Sequence, residues 1–248
     1  MTVLRSLLFY IAFYGGSIGY VLGALLMMVL KSPRLMPLVH GWSHFHRTCV
    51  RRILGIQVVE AGERASGPAL YAIKHQSFFE AIDLPNLLAD PVVFGKQELF
   101  AIPGWGRAAQ AYGVIPVARG EGARTLRTMI KQARQMSATG RPLVIFPEGT
   151  RIAPGTRAPL QSGFAMLYKV LGLPVIPVAV NSGPCYSGRW KRRGIIDIRF
   201  GEPIMPGLSR AELEERVLRA INALNPVASE APPEDGARTP GSDPGGDA

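Results

Sequence analysis

The stretch Ala69-Leu70-Tyr71-Ala72-Ile73-Lys74-His75-Gln76-Ser77-Phe78-Phe79-Glu80 passes in twelve residues from an apolar run short enough for a buried strand to a segment with helical spacing. Phe79, Ile82, Leu84 and Leu87 supply that spacing. His75 therefore stands at the carboxyl end of a strand, where open α/β sheets place their ligands. Residues five apart in one unbroken helix are turned by roughly 140° from each other, so His75 meets Glu80 only if it lies outside the helix. Ser77 provides the break. Ser77-Phe78-Phe79-Glu80 reads as a capping box, with Ser77 as N-cap and Glu80 folded back over the first turn toward His75. Asp83, about 4.5 Å further along the helix axis, is the second candidate for the histidine's partner. A carboxylate on one imidazole nitrogen leaves the other free to take a proton from a substrate hydroxyl. The alternative is that Glu80 only caps its helix and His75 is a loop residue.

Outward from this unit the same alternation continues. Strands are predicted over 56–60, 69–73, 92–95, 114–117, 143–146, 175–180 and 195–200, and helices over 78–88, 105–111, 122–137, 164–171 and 210–224. The pattern predicts an α/β domain over 55–225, with a mostly parallel central sheet flanked by helices. Residues 226–248 turn to Pro, Gly, Ser and acids, a composition that cannot bury a core, and read as a disordered acidic tail.

Residues 1–54 read as membrane-anchoring helices. Residues 6–30 carry no charge and lie between Arg5 and Lys31; as a helix they span about 37 Å, enough for a bilayer core. A secretory signal is the competing reading, but the apolar run is too long and no small-x-small site follows it. Gly15, Gly19 and Gly23 fall four apart and offer a face for close helix packing. The Gly15-Gly16-Ser17-Ile18-Gly19 match to a nucleophile elbow lacks the strand and turn such a serine needs, and is accidental. A second, basic amphipathic helix over 33–54 suits the headgroup layer. His40, His44 and His46 on it have no neighbouring acid or cysteine in sequence to complete a metal site. Basic residues between Lys31 and Arg52 place this end on the cytoplasmic side.

The net charge is +10, and removing the tail's −4 leaves +14 on residues 1–225. Such a body suits anionic partners, a phospholipid surface or nucleotide phosphates among them. Aromatics are not interleaved with the basic residues as a base-stacking platform requires, so nucleic acid is not expected. Two cysteines, Cys49 and Cys185, make neither a disulfide framework nor a metal spacing, and no phosphate-loop or dinucleotide fingerprint is present.

Three more blocks follow predicted strands. Phe146-Pro147-Glu148-Gly149-Thr150-Arg151 bunches charge around a glycine: Gly149 allows close backbone approach, and Arg151 can fork two hydrogen bonds onto a phosphate. Glu148 and Arg151 pairing with each other is the bland alternative. Gly113-Val114-Ile115-Pro116-Val117-Ala118-Arg119 delivers a second arginine. Lys96, after the strand over 92–95, is either a further phosphate cation or an exposed lysine. Arg189-Trp190-Lys191-Arg192-Arg193 is either a phosphate- or membrane-touching loop or a solvated one.

In this order, His75 to Glu80, Gly113 to Arg119, Phe146 to Arg151 and Val175-Ile176-Pro177-Val178 resemble the four blocks of the lysophospholipid (glycerolipid) acyltransferase family, of the 1-acyl-sn-glycerol-3-phosphate acyltransferase type. The resemblance covers residues 54–224. It implies His75 as general base with Glu80 as its partner, Arg119, Glu148, Gly149 and Arg151 around the acceptor's phosphate, and Ile176 and Pro177 on the acyl-donor side; Lys96 and Thr150 are grouped with the phosphate-binding residues from the reading of their own blocks. The family's commonest fifth residue is aspartate, so Glu80 is a departure, one methylene longer. The implied reaction is acyl transfer from acyl-CoA or acyl-acyl carrier protein to the sn-2 hydroxyl of a lysophospholipid, giving phosphatidic acid. No metal and no cofactor beyond the donor thioester is required. The enzyme is then expected at the cytoplasmic face of a bacterial inner membrane. A different lysolipid acceptor, such as lyso-ornithine lipid, and a non-catalytic basic lipid-binding protein are the competing readings.

Overall fold

The computed structural model describes residues 1–117 and 123–225; Arg119 and the 226–248 tail lie outside the described residues. Each predicted strand is found: β1 (Ile56–Ala61), β2 (Leu70–Ile73), β3 (Val92–Lys96), β4 (Ile115–Val117), β5 (Leu143–Ile145), β6 (Val175–Val180) and β7 (Gly194–Phe200). They form one sheet in the order β1-β7-β6-β2-β5-β3-β4. The pairings along β6, β2, β5, β3 and β4 are parallel, β6 to β7 is antiparallel, and β1 pairs parallel with β7. The sheet is thus mostly parallel, with one reversed pair of strands at an edge.

Strand β2 lies between β6 and β5, and its side chains divide two cores by the two-residue period of a strand. Tyr71 and Ile73 join Val144, Ile176 and Val178 on one face, while Leu70 and Ala72 join Leu143 and Val175 on the other. The first face is covered by α1 (Thr2–Val29), α2 (Leu35–Cys49) with its π-helical continuation Val50–Leu54, and α3 (Phe78–Leu87). The second is covered by α5 (Ala123–Ser137), α6 (Ser162–Leu171) and α8 (Arg210–Ile221). In chain order α4 (Trp105–Tyr112) precedes α5, and the single turn α7 (Gly183–Tyr186), which no periodicity could have foretold at four residues, adds Tyr186 to the first core.

The N-terminal helices share the core of the sheet. Phe9 and Phe13 of α1 are buried in the first core, and the α2 imidazole His46 sits among Phe9, Phe13, Phe79 and Tyr186 with Nε2 2.8 Å from the Tyr186 hydroxyl. Burial, with Arg47 and Lys191 adding to it, lowers this imidazole to about 3 and keeps it neutral. The helix-packing glycines differ from the expected set. A Cβ on Gly16 would lie 2.5 Å from the Phe45 ring and one on Gly23 3.4 Å from Leu38, whereas Gly15 and Gly19 have nothing within 4 Å. Of the expected set only Gly23 faces α2, and it shares that face with Gly16, seven residues earlier, beside which Trp42 donates to Ser17 at 2.9 Å. The opposite face of α1 is bare: Leu4, Ile11, Ile18 and Leu22 are more than 60% exposed.

Candidate active site

Strand order decides which loops meet. Because β2 lies between β6 and β5, the carboxyl ends of all three come together around His75. Ser77 leaves β2 in extended backbone (φ −148°), and its Oγ accepts the Phe79 N–H at 3.1 Å. Glu80 returns a carboxylate oxygen, Oε2, to the Ser77 N–H at 3.0 Å, which completes the capping box. The same oxygen lies 3.2 Å from His75 Nδ1. Glu80 is 1% exposed. With Nδ1–H donated to the carboxylate, the tautomer leaves the Nε2 lone pair available, and among the described residues Nε2 has no hydrogen-bond partner. The ring stacks on Phe146 with centroids 4.1 Å apart and planes 21° apart, which limits rotation about its terminal bond.

Asp83, the other candidate partner, points elsewhere. It is fully buried and ion-paired with Arg47, and Asn86 donates to it at 2.9 Å. Arg47 also holds Glu60 at 2.6 Å. Three residues along a helix from Glu80 place Asp83 over α2 instead of over the strand end.

The Phe146–Arg151 block is adjacent to His75, with roles divided differently from the expectation. Glu148 faces the interior: Lys74 donates to Oε1 at 2.6 Å and the His75 backbone N–H reaches Oε2 at 3.3 Å. Lys74 and Glu148 are both 0–1% exposed, so Glu148 braces the histidine loop and has no oxygen turned to a ligand. A lysine directly after a fully buried strand must find a buried partner, and this is the sequence signal that could have revealed the pair. Nor do Glu148 and Arg151 pair with each other. Gly149 has φ +69°, a conformation that glycine adopts freely, and its N–H bonds back to Phe146 O at 2.9 Å. Thr150 and Arg151 are exposed. The Arg151 guanidinium sits over the Phe78 ring, its carbon 4.1 Å from the centroid, and the next residue ties the loop to the site through Ile152 N–H to His75 O at 2.8 Å. Stacking on an aromatic face leaves the in-plane N–H groups of an arginine free.

Lys96 is exposed at the end of β3, two strands from β2. Arg119 lies outside the described residues. Ile176 and Pro177, expected on the acyl-donor side, are buried within β6, in register with Tyr71 and Ala72, roughly 10–13 Å back along the sheet from His75 at the rise of a strand. Pro177 instead borders a shallow hollow of about 360 Å³ with Glu202 and Arg216. What β6 brings to the site is Ser182, just past its end, which donates to Glu80 Oε1. Sequence reasoning missed it, together with Asn222, which accepts from Lys74 at 2.8 Å, and Asn225, which accepts from Gln76 at 3.2 Å. Both asparagines arrive from the end of α8, about 150 residues on in sequence. Lys191 is also near: burial, reinforced by Arg151, lowers its ammonium to about 8, and Nζ sits 4.3 Å over the Tyr186 ring. Among the described residues no group of three or more His, Cys, Asp or Glu is arranged to hold a metal ion; His40 bonds Asp90 at 2.9 Å and His46 bonds Tyr186.

The 1-acyl-sn-glycerol-3-phosphate acyltransferase of Pseudomonas aeruginosa is 28% identical over 207 residues, 80% of this chain and 79% of that protein. The Helicobacter pylori protein of the same name is 30% identical over 145 residues, 57% of this chain and 61% of that protein. The crystal structure of the 1-acyl-sn-glycerophosphate acyltransferase PlsC from Thermotoga maritima superposes with a TM-score of 0.72 over 90% of this chain and 95% of that one, at 23% identity, and so shares the fold. A family model described as Acyltransferase matches residues 50–181, which take in β2, the capped helix α3, the Phe146–Arg151 block and the end of β6. The histidine and its capping glutamate thus sit inside a match that covers more than half of the sequence, and the chain belongs to the acyltransferase family.

Proposed function

We propose that this acyltransferase moves an acyl chain from a soluble thioester, acyl-CoA or acyl-acyl carrier protein, to the sn-2 hydroxyl of 1-acyl-sn-glycerol-3-phosphate, yielding phosphatidic acid. The observation that carries the proposal is the His75 Nδ1 to Glu80 Oε2 contact at 3.2 Å beside an exposed arginine. The names of the Pseudomonas and Helicobacter relatives support the acceptor. His75 Nε2 removes the hydroxyl proton as the oxygen attacks the thioester carbonyl. The tetrahedral intermediate then expels the thiolate, which takes the same proton back from the imidazolium. Glu80 balances the transient charge on the imidazolium. Proton transfer of this kind contributes about 10²- to 10⁴-fold, and positioning the acceptor contributes much of the remainder. Arg151 fits that task, since its guanidinium edge can meet a phosphate while its face rests on Phe78; Lys96 is the second cation in reach of a headgroup. Arg151→Ala is expected to raise the acceptor KM by about 10-fold or more, the value of one charge-assisted pair, with the donor KM unchanged. Initial rates with each substrate varied in turn check this, and an equal rise in both KM values would remove Arg151 from the acceptor site.

Acceptor and product live in a bilayer, and we place the enzyme on one, at the cytoplasmic face of a bacterial inner membrane. The bare apolar face of α1 supports the reading, as do Arg51, Arg52, Arg192 and Arg193, all exposed where the chain can meet anionic headgroups. Because Phe9 and Phe13 belong to the core, removing α1 would unfold the domain, so the surface is better tested in place. Ile11, Ile18 and Leu22 together changed to Ser are expected to shift the protein from the vesicle pellet to the supernatant with the melting temperature unchanged. Sedimentation with vesicles of anionic phospholipid reads this, and undiminished pelleting would assign binding to another surface.

A further inference from the structure

The transfer scheme leaves one buried nucleophilic side chain at the site unused. Ser182 is 0% exposed and follows β6 by two residues. Its Oγ donates to Glu80 Oε1 and lies 2.7 Å from Ser77 Oγ. Proton counting orders this cluster. The Ser182 proton goes to the carboxylate, which can only accept, so Ser77 must supply the hydrogen of the 2.7 Å contact. Ser77 can do so, because the bond it receives from the Phe79 N–H uses only a lone pair. The result is a one-directional chain, Ser77 O–H to Ser182 Oγ and Ser182 O–H to Glu80 Oε1.

The two oxygens of Glu80 are thereby held by different parts of the fold. Oε2 is held by its own helix cap, through the Ser77 N–H at 3.0 Å, and faces His75 Nδ1. Oε1 is held from β6, with the Gln76 N–H at 3.4 Å as a longer second donor. A glutamate has one more rotatable bond than an aspartate, and a carboxylate anchored by one oxygen can swing about that anchor. Anchoring the second oxygen removes the swing. Ser182 is itself fixed: its carbonyl accepts from Tyr186 N–H at 2.8 Å, and the next residue, Gly183, donates to Gln76 Oε1 at 2.9 Å. The bracket between β6 and the histidine loop is therefore made at both ends of the same pair of residues.

We infer that Ser182 is a positioning residue for the Glu80–His75 pair: by pinning the carboxylate oxygen turned away from the ring, it keeps the other aimed at Nδ1. This rests on His75 being the general base. The test uses the full-length protein in mixed micelles, with oleoyl-CoA and 1-oleoyl-glycerol-3-phosphate, and compares wild type, Ser182→Ala, Glu80→Gln, the double variant and His75→Ala. Loss of alignment by a fraction of an ångström to 1 Å costs about 10- to 100-fold, so Ser182→Ala is expected to lower kcat by that factor with both KM values within about 2-fold of wild type. In the Glu80→Gln background, where there is no carboxylate charge to aim, adding Ser182→Ala should change kcat by less than about 2-fold. An unchanged kcat in Ser182→Ala, or the same fractional loss in both backgrounds, overturns the inference. If either happens while His75→Ala is inactive, the catalytic reading survives without Ser182. Wild-type kcat in His75→Ala would instead bring down both.

Discussion

His75→Ala is expected to lower kcat by about 10²- to 10⁴-fold, the worth of a positioned general base, while the protein folds and binds vesicles as before. The ring is at the rim of the fold, with a side chain 15% exposed and one stacking partner in Phe146, so its removal opens little core. A steady-state assay read beside a melting curve separates loss of the base from loss of the fold. Substantial residual activity would show that some other group accepts the hydroxyl proton. Glu80→Gln keeps the side-chain length and the cap geometry but removes the charge, and should fall between wild type and His75→Ala.

Lys74→Met is expected to have the largest effect on stability. Lys74 and Glu148 form an ion pair with no solvent access, and Asn222 takes a further bond from the ammonium. Removing one partner of a buried pair leaves an uncompensated charge and costs about 3–5 kcal/mol. For a chain of this size that is roughly 6–20 °C in melting temperature. Replacing both, Lys74→Met with Glu148→Met, removes both desolvated charges and should recover part of the loss, the signature of a pair whose value lies in mutual neutralisation. Activity should not recover with it, because the His75 N–H loses its Glu148 acceptor and the loop that carries the imidazole loses its brace. A double variant as unstable as the single one would mean that packing volume, and not charge, dominates at this position. Thermal melts of the three variants decide between these outcomes.

Much of this architecture could be read from residues close in sequence. The capping box needs only Ser77 and Glu80 three apart, and the His75 contact follows once Ser77 is seen to start the helix. The strands were legible because each is a short apolar run bounded by turns. What could not be read was adjacency between distant elements. Nothing local says that β6, a hundred residues beyond β2, lies beside it and brings Ser182 to Glu80, or that the end of α8 supplies Asn222 and Asn225. The same gap explains Glu148, whose neighbours in sequence suggested a ligand and whose neighbour in space is Lys74. The register of β6 was hidden for the same reason: the strand was recognised, but which of its residues reaches the working edge depends on its pairing with β2.

Free thiol and phosphatidic acid measured together, with purified wild-type protein, oleoyl-CoA and 1-oleoyl-glycerol-3-phosphate, test the central claim most directly. The account predicts thiol release only when the lysolipid is present, one thiol for each phosphatidic acid formed, and both products formed at least about 100-fold more slowly by His75→Ala. Thiol released at the same rate without acceptor, or an equal yield of phosphatidic acid from His75→Ala, would contradict it.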